Sequence, residues 1–168
     1  STYTFFQEQK KRFGAACDGG HLAGCHRYAE RISSQYGNEM PKAAQIWAEN
    51  CERGYGASCY ERAVIGKLLD ETEEQQRPYF SKGCSQDHRN SCYQTGVFLK
   101  GGRGGEVDKV ASRAALKKAC ELGHADGCSD LMFMQATGEG GPVDMEAARA
   151  TEARRCALPN VTCSEDAQ

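Results

Sequence analysis

The sequence predicts an all-α chain, an α/α superhelix (solenoid) of about four to five helical hairpins, each stapled by a disulfide. Two observations carry this. The first is a spacing: Cys17/Cys25, Cys51/Cys59, Cys84/Cys92 and Cys120/Cys128 stand eight positions apart and Cys156/Cys163 seven, and these five pairs use all 10 cysteines. The second is a period: the first cysteines, at 17, 51, 84, 120 and 156, are separated by 34, 33, 36 and 36 residues, the range of helical-hairpin solenoids. One hairpin cannot bury its apolar stripe alone, so neighbours stack and share a core.

The spacing has a geometric consequence. On one straight helix, residues eight apart are separated by ~12 Å, whereas a disulfide needs Cα atoms within roughly 4.4–6.8 Å. A bridge across each pair therefore requires the chain to turn back between its cysteines. Gly20, Gly54 and Gly123, each three residues after a first cysteine, sit where a helix C-terminus takes a left-handed residue. Metal binding is the competing use of cysteine, but zinc sites favour short C-x2–4-C spacings and no CxxC occurs. An even, periodic set reads as a disulfide framework in an oxidising compartment.

The elements follow in order. A first helix is predicted over about 5–16 and its partner over 22–35, with a break at Tyr36-Gly37-Asn38. Pro41 suits the first turn of the next helix, where its missing N–H costs nothing, and that hairpin closes over 57–69. In the third repeat Pro78 is expected to limit the first helix to a short piece, Asp87 replaces the usual glycine, and the second helix covers 89–100. Asp108 and Asp144 are natural N-caps for helices running to Cys120 and Cys156, with Ala125–Thr137 between them. The chain reads as a single domain, 1–168, with repeats at 1–36, 37–69, 70–102 and 103–138 and a C-terminal cap over 139–168.

The register is consistent with this. Four residues before each first cysteine stand Phe13, Trp47, Phe80, Leu116 and Glu152, on the cysteine's own helix face; all but Glu152 are expected to be buried with it. Four residues after each second cysteine come Ala29, Ala63, Gly96 and Met132, small in three cases, as close helix crossing requires. The net charge of -2 gives no whole-protein attraction to nucleic acid or membrane, and no apolar run approaches the ~18 residues of a membrane span. The chain begins at Ser1 without a signal-peptide pattern, as a mature or trimmed chain does.

Two stretches resemble the Sel1-like repeat, a TPR-like α/α solenoid: Ala114-Ala115-Leu116-Lys117-Lys118-Ala119-Cys120-Glu121-Leu122-Gly123-His124 and Thr137-Gly138-Glu139-Gly140-Gly141-Pro142-Val143-Asp144-Met145-Glu146-Ala147-Ala148. The doubled cysteine is similar to the disulfide-rich branch known as the Helicobacter cysteine-rich proteins. The resemblance implies a periplasmic or secreted bacterial setting and, by analogy with short periplasmic members, an immunity protein that neutralises a secreted type VI effector such as a phospholipase. It also implies two alternatives, a penicillin-binding or weak β-lactamase-like protein and a peptidoglycan or host-factor adaptor.

The residues themselves favour binding over catalysis. A serine β-lactamase would carry S-x-x-K with S-D-N and K-T-G; none of these occurs, nor does HExxH. Gly101-Gly102-Arg103-Gly104-Gly105 lacks the GxxxxGK[ST] pattern of a phosphate loop. His21, His88 and His124 each follow a first cysteine by four positions, with Tyr55 in the equivalent slot. Repeat-equivalent positions are translated apart, so a helix-end role is expected rather than a metal site. His26 reads as an isolated helix residue. No catalytic residue, metal or cofactor is assigned, and the expected partner is another protein, with neither nucleic acid nor membrane insertion. The basic clusters Lys10-Lys11-Arg12, Lys117-Lys118 and Arg154-Arg155 could orient a partner, and Tyr28, Tyr60 and Tyr93 are candidate exposed anchors.

Overall fold

A computed structural model describes residues 2–34 and 39–163. The predicted break at 36–38 and the residues after Cys163 lie outside the described residues. Among those described there are nine α-helices and no strand. The chain divides into two compact units, Ser1–Gln86 and Asp87–Gln168.

In the first unit, α1 (Thr2–Asp18) pairs with α2 (Leu22–Ser33), and α3 (Met40–Glu52) with α4 (Gly56–Gly66). A 3-10 turn (Lys67–Leu69) extends α4, and α5 (Glu73–Ser85) packs back on it. In the second unit α6 (Arg89–Gly101), α7 (Lys109–Glu121), α8 (Ala125–Thr137) and α9 (Met145–Cys156) pack each on the next.

The reversals are made by left-handed residues. Gly20, Gly54 and Gly123 have φ of 83°, 94° and 88°, and Asp87 fills the third repeat's slot at φ 58°. A short polar side chain tolerates that conformation at modest cost, so the repeat lacking glycine keeps the same turn. The linker aspartates act as predicted from the sequence: Asp108 Oδ1 accepts from the Ala111 N–H at 2.8 Å and Asp144 Oδ1 from the Ala147 N–H at 2.9 Å.

Each unit has its own core. Ala29, Ile32, Ala43, Ala44, Trp47 and Ile65 form that of the first. Leu116, Leu131 and Met134 pack around the Cys120–Cys128 sulfurs in the second. Small residues stand where helices approach most closely: Ala29 and Ala63 are fully buried, and a Cβ on Gly96 would sit 2.6 Å from Leu116 Cγ.

Two expectations need correction. Phe13 is only half-buried, as is Cys17, and Phe6 supplies the buried side chain of α1. This first helix packs on α2, so its cysteine face is covered from one side. Pro78 does not shorten its helix: α5 runs through it for 13 residues. Proline forfeits one bond, to the carbonyl four residues back; Glu74 and Pro78 are both exposed, so water can take the freed acceptor.

Candidate functional site

The cysteines staple the turns. Cys17–Cys25, Cys51–Cys59, Cys120–Cys128 and Cys156–Cys163 are bridged, with Cα separations of 4.2, 4.6, 4.5 and 5.7 Å. Cys84 and Cys92 are also disulfide-bonded, and no described cysteine is free. Bridges on this scale belong in an oxidising compartment. In the third repeat the neighbouring turn contributes to the second staple: Gln86 Nε2 donates to the Cys51 carbonyl at 3.0 Å.

The histidines of the repeat slot each stand at the N-cap of a second helix. His88 Nδ1 accepts from the Ser91 N–H at 3.4 Å and His124 Nδ1 from the Gly127 N–H at 3.2 Å. His21 and Tyr55 hold the same position without a side-chain cap bond. Burial lowers the His124 pKa, which keeps its ring neutral and able to accept. His26 is buried: its Nδ1 lies 3.0 Å from Ser58 Oγ, its ring packs on Tyr55, and burial lowers its pKa. Asn50 Nδ2 completes this polar knot by donating to the Leu22 carbonyl at 2.7 Å, which ties α2, α3 and α4 together. No group of three or more His, Cys, Asp or Glu among the described residues is placed to hold a metal.

The three tyrosines are half-buried rather than exposed. Tyr28 packs against the first core, and its hydroxyl accepts from Lys42 Nζ at 3.3 Å. The Tyr60 ring lies 5.9 Å from that of Phe80, and Tyr93 stacks on His124 at 4.3 Å. Each therefore has packing work and offers an edge rather than a free face. The basic clusters divide similarly. Lys10 pairs with Glu39 at 2.7 Å and Lys118 with Asp87 at 2.7 Å, while Lys117 is exposed, 4.0 Å from Glu121.

One feature escaped sequence reasoning. Ser33, Met40, Trp47, Glu61, Val64, Ile65 and Leu68 line a cavity of about 160 Å³ in the first unit. Glu61 and Trp47 are on different helices, fourteen positions apart in sequence, and no spacing rule joins them.

No protein-family model and no curated protein matches the chain. Solved structures do. Helicobacter pylori cysteine rich protein B is 28% identical over 76% of this chain and 90% of its own, with a TM-score of 0.55. A protective antigen of uropathogenic Escherichia coli displaying an SLR fold is 17% identical with a TM-score of 0.77 over 90% of this chain, which spans 33% of that protein. A Sel1 repeat protein from Oxalobacter formigenes is 14% identical with a TM-score of 0.77, covering 92% of this chain and 68% of that one. Bridged helical hairpins at this period define an α/α repeat protein. More particularly, its fold is that of the Sel1-like repeat structures, and its bridged hairpins are similar to those of the cysteine rich protein.

Proposed function

We propose that this chain is a non-enzymatic protein-binding repeat, exported to the periplasm, that acts as an immunity protein against a secreted type VI effector such as a phospholipase. One observation supports this above the others: the side chains best suited to chemistry serve the fold. The cysteines are bridged, His88 and His124 cap helices, and His26 is held in a buried polar knot. What remains for a partner is surface, held rigid by a staple at each turn. A preordered surface loses less entropy on binding. Tyr28, Tyr60 and Tyr93 are proposed contact residues, each through the edge left uncovered within its own unit.

The test is capture and inhibition. The oxidised chain, immobilised, should retain an exported lipase from an extracytoplasmic extract of the source bacterium, and equimolar chain should abolish that lipase's activity. Recovery of no stoichiometric partner, or a partner whose activity is unchanged, contradicts the proposal. A chromogenic β-lactam should show neither turnover nor covalent labelling; either result would move the reading to the enzyme alternative.

A further inference from the structure

The cavity between α3 and α4 sets one carboxylate, Glu61, among mainly apolar side chains. Glu61 is half-buried, and no described cation pairs with it. Its charged neighbour is Glu30 of α2, which is also negative and is already engaged by Arg27 at 2.9 Å and His26 at 3.5 Å. The next cation along α4, Arg62, is committed to Glu71 through two bonds of 2.6 and 2.8 Å. Trp47, which also lines the cavity, is 3% exposed, and its Nε1–H, without an acceptor among the described residues, is itself buried from the surface. The rest of the lining is mainly apolar, and its rim, Val64 and Leu68, is 43% and 67% exposed.

A partly desolvated carboxylate without a counter-charge costs stability. Burial, reinforced by Glu30, raises the Glu61 pKa, as expected of a carboxylate the fold does not compensate. A ligand that relieves Glu61 must bring a cation for its carboxylate and an apolar stem for Val64, Ile65 and Leu68. The space suits one side chain, since cofactor and drug-sized pockets run to roughly 300–1,000 Å³. Arginine meets these terms better than lysine. Its planar fork pairs bidentately with a carboxylate, its head is more cheaply desolvated, and its stem lies readily along apolar surface.

We infer that this cavity is a socket for an arginine side chain of a protein partner, with the guanidinium on Glu61 and the stem against Val64, Ile65 and Leu68. The inference rests on the protein-binding reading above and names the point of contact.

Trp47 is the chain's single tryptophan, so its indole N–H resonance and emission report on the socket directly. The probes are acetyl-Leu-Arg-Leu-amide and its citrulline and glutamate counterparts. The arginine peptide should shift the Trp47 signals saturably, and the citrulline and glutamate peptides should bind at least about tenfold more weakly. Glu61→Gln, which keeps the shape, should weaken the arginine peptide about tenfold, and Leu68→Ser, on the exposed rim, should also weaken it. No shift up to millimolar arginine peptide, equal response to citrulline, or an unchanged Glu61→Gln variant overturns the socket. The captured partner separates the two levels. If wild type and Glu61→Gln retain it equally, the socket is wrong while the protein-binding reading stands. If wild type retains nothing, the reading itself fails.

Discussion

Leu116→Ala is expected to lower the unfolding free energy by about 4 kcal/mol, near the middle of the range for truncating a fully buried leucine. Leu116 is 0% exposed and packs with Leu131, Met134 and the Cys120–Cys128 bridge. Its environment cannot collapse easily onto the gap, because the bridge fixes α7 to α8. The loss is read from urea unfolding. The facing position supplies a check on the packing. Gly96→Ala alone would drive a methyl to 2.6 Å from Leu116 Cγ and destabilise by overpacking. The double variant Gly96→Ala/Leu116→Ala should cost less than the sum of the two, since the shortened side chain vacates the space the new methyl needs. Strict additivity would mean that the two residues do not meet as described.

The second large effect is expected at a staple. Replacing Cys120 and Cys128 together by alanine should cost about 2.5 kcal/mol from the freed loop alone, plus a smaller packing loss. Both sulfurs lie in the core, at 2% and 0% exposure. The same double replacement at Cys156 and Cys163, both half-buried, should lose the loop contribution with little packing loss. A difference of the opposite sign in urea unfolding would contradict the placement of these bridges.

Much of the fold was legible in the sequence because the repeat writes it several times over. The cysteine period, the glycines at the reversals and the capping aspartates are local signals, and each constrains only its neighbours along the chain. Ala125–Thr137 is found at the predicted bounds for this reason. Pro78 and Phe13 were misread because their outcomes depend on what covers them. An exposed proline early in a helix forfeits one solvated bond. A phenylalanine on a helix packed from one side stays half-buried, while Phe6 takes the core place. The role of the repeat-slot histidines was legible in outline, since Gly127 and Ser91 follow His124 and His88 by the three positions an N-cap requires. The Glu61–Trp47 cavity was not. It is created by the approach of two helices, and its significance lies in a missing counter-charge for Glu61, which a sequence does not display. Nor does the sequence show how far each tyrosine is covered: Tyr93 looks fully exposed until His124 is seen stacked on it.

The claim on which all of this depends is that each cysteine is bonded to its neighbour along the chain, locking every hairpin separately. Digestion of the unreduced protein followed by mass spectrometry of the linked peptides tests it most directly. Peptides joining only cysteines seven or eight positions apart, with no alkylatable thiol, are the predicted result. Links between different hairpins, or a free thiol in the folded protein, would contradict it.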